Sequence, residues 1–171
     1  MSTPLPPPSG ARDIEALADR LSACADALHA RLMKAIRAAT TTPAPVVSGP
    51  AATPPARGAS IDQGLSQGAA QALFENEVAL RQRANGLYLD AAVLAAGGLA
   101  GAQQQLLALT AQAAERIRTL DRLRDLIDLT SELLQLGAAV ASGTPEHLAA
   151  PLEKIKQHLA DLRDPALPPP V

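Results

Sequence analysis

Proline sets the outer limits of regular structure in this chain. Inside a helix it removes a hydrogen bond and its ring clashes with the preceding turn, at a cost of about 3 kcal/mol, and in a central strand it breaks the ladder. Of fifteen prolines, four lie between Pro4 and Pro8, five between Pro43 and Pro55 and four between Pro165 and Pro170, leaving only Pro145 and Pro151 elsewhere. Residues 1–11 and 164–171 therefore read as disordered Pro-rich tails, and the Thr/Pro/Ala/Gly segment 40–59 as an irregular linker. Residues 12–163 form the single expected domain, long enough to bury a core without disulfides or metals.

The residues between the proline clusters decide the fold class. Alanine (37) and leucine (27) dominate, and Phe74 and Tyr88 are the only aromatics among 171 residues. Ala and Leu are strong helix formers, whereas strands favour the β-branched and aromatic side chains that are scarce here. The expected class is all-α.

The first helix is predicted over Asp13 to Ala39. Ile14, Leu17, Leu21, Cys24, Leu28, Leu32 and Ile36 recur at spacings of three and four, which keeps them on one stripe. The second is predicted from Ser60 or Asp62, either of which can cap it, to about Ala96. Leu73, Leu80, Leu87 and Leu94 repeat every seven residues, and Ala84, Ala91 and Gly98 follow the last three of them by four. Such a coiled-coil-like seam lets leucine knobs settle over small residues of a neighbour. Glu77 is its exception. Asn85-Gly86 is a candidate interruption, although the periodicity runs through it unchanged.

Gly97, Gly98 and Gly101 mark the break before a third helix, predicted as one rod from Ala102 to Ala141. It carries two apolar rows, Leu106, Ala113, Leu120, Ile127 and Leu134 on one face and Leu126, Leu129, Leu133, Leu136 and Val140 on another. Two apolar faces suggest a central position. Ser142-Gly143 should end it, with the glycine in the left-handed terminal position. A fourth helix begins at Thr144-Pro145-Glu146, with Leu148, Leu152, Ile155, Leu159 and Leu162 as its stripe. Pro151 either divides this segment or kinks it. The architecture expected is an antiparallel bundle of four main helices, the second and third forming a long central hairpin that the first and fourth flank.

Charge and chemistry narrow the function. Fifteen basic against seventeen acidic residues leave a net charge of −2, with no cationic surplus for phosphates and no aromatic platforms for single strands, so no nucleic-acid partner is expected. The lone Cys24 needs no oxidising compartment, and residues 1–10 lack the basic start and apolar core of a secretory signal, so a cytoplasmic location is expected. His29, His147 and His158 belong to no ligand motif, so no metal is expected. No G-x-S-x-G elbow prepares a nucleophile and no P-loop cradles a phosphate, so neither an enzyme nor a cofactor is expected. Cys24 on its apolar stripe reads as a small hydrophobe.

What remains is interaction. The expected partner-binding residues are Leu73, Leu80, Leu87 and Leu94, with Phe74, Arg81 and Tyr88 beside that row; the alternative for each is packing inside one monomer. Residues 91–114 carry no charge, and a second reading has the tip Val93, Leu94, Gly97, Gly98, Leu99 and Gly101 entering a bilayer. Against it stand Gln103, Gln104, Gln105 and Gln112, whose amides are poorly satisfied in lipid, and an uninterrupted apolar run too short to span. The Pro-rich ends can dock into aromatic-lined grooves or act as spacers. The function expected is a non-enzymatic adaptor, chaperone-like or scaffolding module, with self-association as one of its forms and a membrane-active hairpin as the alternative.

Overall fold

The computed structural model describes residues 9–41, 61, 65–96 and 102–163. The tails, the linker and the glycines 97, 98 and 101 lie outside them, apart from Ser9 to Ala11, Thr40 and Thr41. Every element among the described residues is helical. They are α1 (Ser9–Thr41), α2 (Gln67–Ala96), α3 (Gln103–Thr119), α4 (Leu123–Ala141) and α5 (Ala149–Asp161), with a 3₁₀ turn at Pro145–His147.

The boundaries follow local chemistry. The first helix starts four residues earlier than expected and runs two residues longer. The second starts later than expected, at Gln67, because Ser66 rather than Ser60 or Asp62 supplies the cap: its hydroxyl accepts from the Ala69 backbone N–H at 3.2 Å. It passes through Asn85-Gly86 without interruption. Gly143 takes φ +68°, the left-handed conformation that ends α4. Pro151 is the third residue of α5, in the first turn, where its missing N–H has no intrahelical acceptor to lose.

The largest correction concerns the third predicted helix, which is not one rod. It breaks at Leu120, Asp121 and Arg122 into α3 and α4, giving five helices instead of four. The carbonyl groups of Leu120 and Asp121 at this corner find donors from distant parts of the chain. Arg31 on α1 donates to the Leu120 carbonyl and lies 3.7 Å from the Asp121 carboxylate. The Ile61 backbone N–H donates to the Asp121 carbonyl at 2.9 Å, while the Ile61 side chain is fully buried. A polypeptide that unwinds mid-helix is stable only when such orphaned groups are satisfied.

Directions follow from the cross-helix contacts. His29 meets Glu77, Asp26 meets Arg81 and Asp19 meets Tyr88, so α1 and α2 run antiparallel. Gly10 lies beside Gln103, Cys24 donates to the Thr110 carbonyl and Arg31 to that of Leu120, so α3 runs with α1. Asn76 donates to Thr130 and Arg83 crosses Gly137, so α4 runs with α2. Helix α5 folds back on α4, with Lys154 and His158 meeting Glu132. The central hairpin therefore differs from the expected one: α2 packs on α1 and α4, and α3 packs on α1 and α5. One continuous apolar core joins all five helices.

Candidate functional site

Helix α2 is apolar on two opposite sides. Its inner side carries Leu73, Leu80, Leu87 and Leu94, all buried in the chain's own core. At about 100° per residue, the side turned roughly opposite carries Phe74, Val78, Leu89 and Val93. These stay in water: Leu89 is 86 % exposed, Val93 73 %, Phe74 52 % and Val78 37 %. Large apolar side chains held in solvent along one helix face mark an interaction surface more often than chance scatter does.

A polar latch borders that face. Glu77 is buried in the leucine seam, where an unpaired carboxylate costs several kcal/mol. His29 Nδ1 lies 3.1 Å from Glu77 Oε2, and Arg81 donates from Nη2 to Oε1 at 3.2 Å. Arg81 also meets Asp26 at 2.8 Å. This network spans α1 and α2 and explains the one irregular position in the seam. Buried polar pairs of this kind fix helix register. Tyr88 donates its hydroxyl to the Asp19 carboxylate. That hydrogen bond, followed by partial desolvation and the charges of Asp19 and Glu15, pushes the phenol up to about 12.

The expected partner-binding residues thus separate into three groups. The four leucines are occupied inside one chain, Arg81 and Tyr88 are tied to α1, and Phe74 remains outward. Of the proposed membrane tip, Val93 is exposed and Leu94 buried, while Gly97, Gly98, Leu99 and Gly101 lie outside the described residues. No helix among the described residues is long and apolar enough to cross a membrane. The sequence reading did not single out Val78 or Leu89. Their signal was nonetheless present, because both fall on the side of the helix facing away from the leucine row.

Comparison with protein-family models, curated proteins and solved structures finds no match to this chain.

The groove between α4 and α5 is polar, and its buried carboxylate is paired within the chain. It has a volume of about 550 Å³ and is lined by Ser131, Glu132, Gln135, Lys154, Gln157 and His158, among others. Glu132 is buried there, 2.8 Å from His158 Nδ1 and 3.9 Å from Lys154. Its charge is therefore matched by the helix that faces it. No group of three or more His, Cys, Asp or Glu among the described residues is placed to hold a metal ion. Cys24 is fully buried, and desolvation pushes its thiol up to about 12, with the charges of Arg118 and Arg20 opposing in part. A thiol so protonated is a poor nucleophile.

Proposed function

We propose that this chain is a non-enzymatic interaction module, an adaptor or scaffold, that binds protein through the outward face of α2. The observation that carries this reading is the row Phe74, Val78, Leu89 and Val93, apolar and exposed on a helix whose opposite side is already committed to the core. The four residues expose roughly 400 Å² of apolar surface, within the range of roughly 300–600 Å² in which the largest patch of a monomer is often functional. The alternating directions of successive helices support reading the body as an antiparallel bundle whose task is to hold this face rigid. The helices α1 and α4 grip α2 from behind, so little conformational entropy is lost when a partner docks.

Residue-specific photo-crosslinking tests the reading. A photoreactive amino acid at Leu89 or Val93 in the full chain, expressed in its native cells, is expected to trap a polypeptide in a defined adduct. The same group at the exposed Glu153 on α5 serves as the control. Adducts of equal yield at Glu153, or none at Leu89 and Val93, would reject the α2 face as a binding surface.

A further inference from the structure

We propose that the occupant of this face is a second copy of the chain, its α2 lying antiparallel across a two-fold axis that passes between Arg83 and Ala84. This deepens the reading above and rests on it. The exposed apolar residues are arranged symmetrically about that point: Phe74 and Val93 each lie nine and a half positions from it, and Val78 and Leu89 five and a half. Around the helix the members of the two pairs are separated by about 100° and 20°, so Val78 and Leu89 lie nearest the middle of the face. Gln82 and Asn85 lie one and a half positions from the axis.

An isologous contact requires this self-complementarity, because each residue must meet its counterpart in both directions. In the antiparallel pair Val78 of one copy faces Leu89 of the other close to the seam, Phe74 of one copy and Val93 of the other lie at the same level on opposite flanks of it, and the amides of Gln82 and Asn85 cluster about the centre, where each can donate and accept. Gln71 and Ala92 complete the side, both exposed.

Charge selects the same orientation. Two ionised residues border this side of the helix, Glu75 and Arg81, and Arg81 is already paired with Asp26 and Glu77. Antiparallel pairing sets the two Glu75 carboxylates about 25 Å apart along the axis, whereas parallel pairing would set them side by side. Over the whole face the pair buries roughly 1,200 Å² in total, at the lower bound for a specific interface, which fits a reversible dimer with Kd on the order of 1–100 μM.

Single-cysteine exchange in the full chain tests the geometry. The native Cys24 is buried and stays silent toward thiol reagents. Val78→Cys and Leu89→Cys chains, mixed and treated with a short bismaleimide, are expected to give at least about five times more covalent dimer than either alone, because like positions lie about 16 Å apart across the axis. Efficient cross-linking of Val78→Cys with itself would overturn the proposal by showing a parallel pair. Absence of a covalent dimer in the mixture would also overturn it. If photo-adducts at Leu89 then contain a different polypeptide, the binding face stands and only its occupant is wrong. With no adducts at all, both fail.

Discussion

Gly137 on α4 lies against the side chain of Arg83 on α2, and its replacement makes a sharp test of how α2 is held. A Cβ at this position would lie 2.6 Å from Arg83 Cγ, with Arg83 Cδ and Leu21 Cδ1 both at 3.4 Å. Gly137 is helical, so alanine brings about 1 kcal/mol of intrinsic helix stabilisation. The contact with Arg83 Cγ is near the backbone end of that side chain, so relief requires the whole side chain to shift. Overpacking of this kind costs about 1–3 kcal/mol. The net expectation for Gly137→Ala is destabilisation by about 1 kcal/mol, or roughly 4 °C in Tm. In an Arg83→Ala background the obstruction is gone and Leu21 remains at ordinary contact distance, so the same substitution should stabilise by about 1 kcal/mol. The sign reversal amounts to a coupling of about 2 kcal/mol in a double-mutant cycle read by urea unfolding. Additive effects within about 0.3 kcal/mol would show that Arg83 does not cross Gly137 and that α2 and α4 are not packed in this register.

Three further outcomes follow from the same contacts. Cys24, with its thiol near 12, should resist a disulfide reagent at pH 8 in the folded chain and react at once in denaturant; rapid native labelling would place it outside the core. Tyr88 should ionise near pH 12 by ultraviolet absorbance, and Asp19→Asn should bring it back toward 10. Because the folded pKa lies above the unfolded one, this hydrogen bond stabilises fully below about pH 10 and its contribution is lost as pH rises through 12, so unchanged titration in the variant would contradict it. Glu77→Ala leaves His29 and Arg81 without their shared carboxylate and should cost about 1–2 kcal/mol, discounted because both partners are partly solvated, while Glu77→Gln should cost less; equal losses, measured by urea unfolding, would argue against the hydrogen bonds.

Several features of this fold were legible in the sequence because they rest on local chemistry. The proline clusters bracket the helices, and Gly143 ends α4 as its position suggests. The break between α3 and α4 was hidden because no glycine or proline marks it; partners distant in sequence, Arg31 and Ile61, hold the corner open. A trace remains in the spacing. Leu120, Leu123, Leu126 and Leu129 are separated by three successive threes, which rotates the stripe by about 180° relative to an ideal 3.6-residue repeat. Of the first apolar row only Leu106 and Ala113 belong to the buried face of α3; Ile127 and Leu134 lie half-buried on α4, whose buried face is the second row. Glu77 stood out as an irregularity, but its partner His29 comes from a helix 48 residues away, a pairing no periodicity reveals. The outward face was read through its aromatics alone. Phe74 belongs to it, whereas Tyr88 is drawn to Asp19, and the more exposed Leu89 blends into a sequence rich in leucine.

Sedimentation equilibrium most directly tests whether the outward face of α2 joins two chains. The wild type and a Leu89→Lys/Val93→Lys variant would be compared from roughly 1 to 200 μM, spanning the affinity that an interface of this size supports. The expected result is a wild-type mass that rises from 17.6 kDa toward twice that value, beside a variant that melts at the same temperature and stays at 17.6 kDa throughout. A wild type that remains monomeric, or a variant that associates equally well, would contradict it.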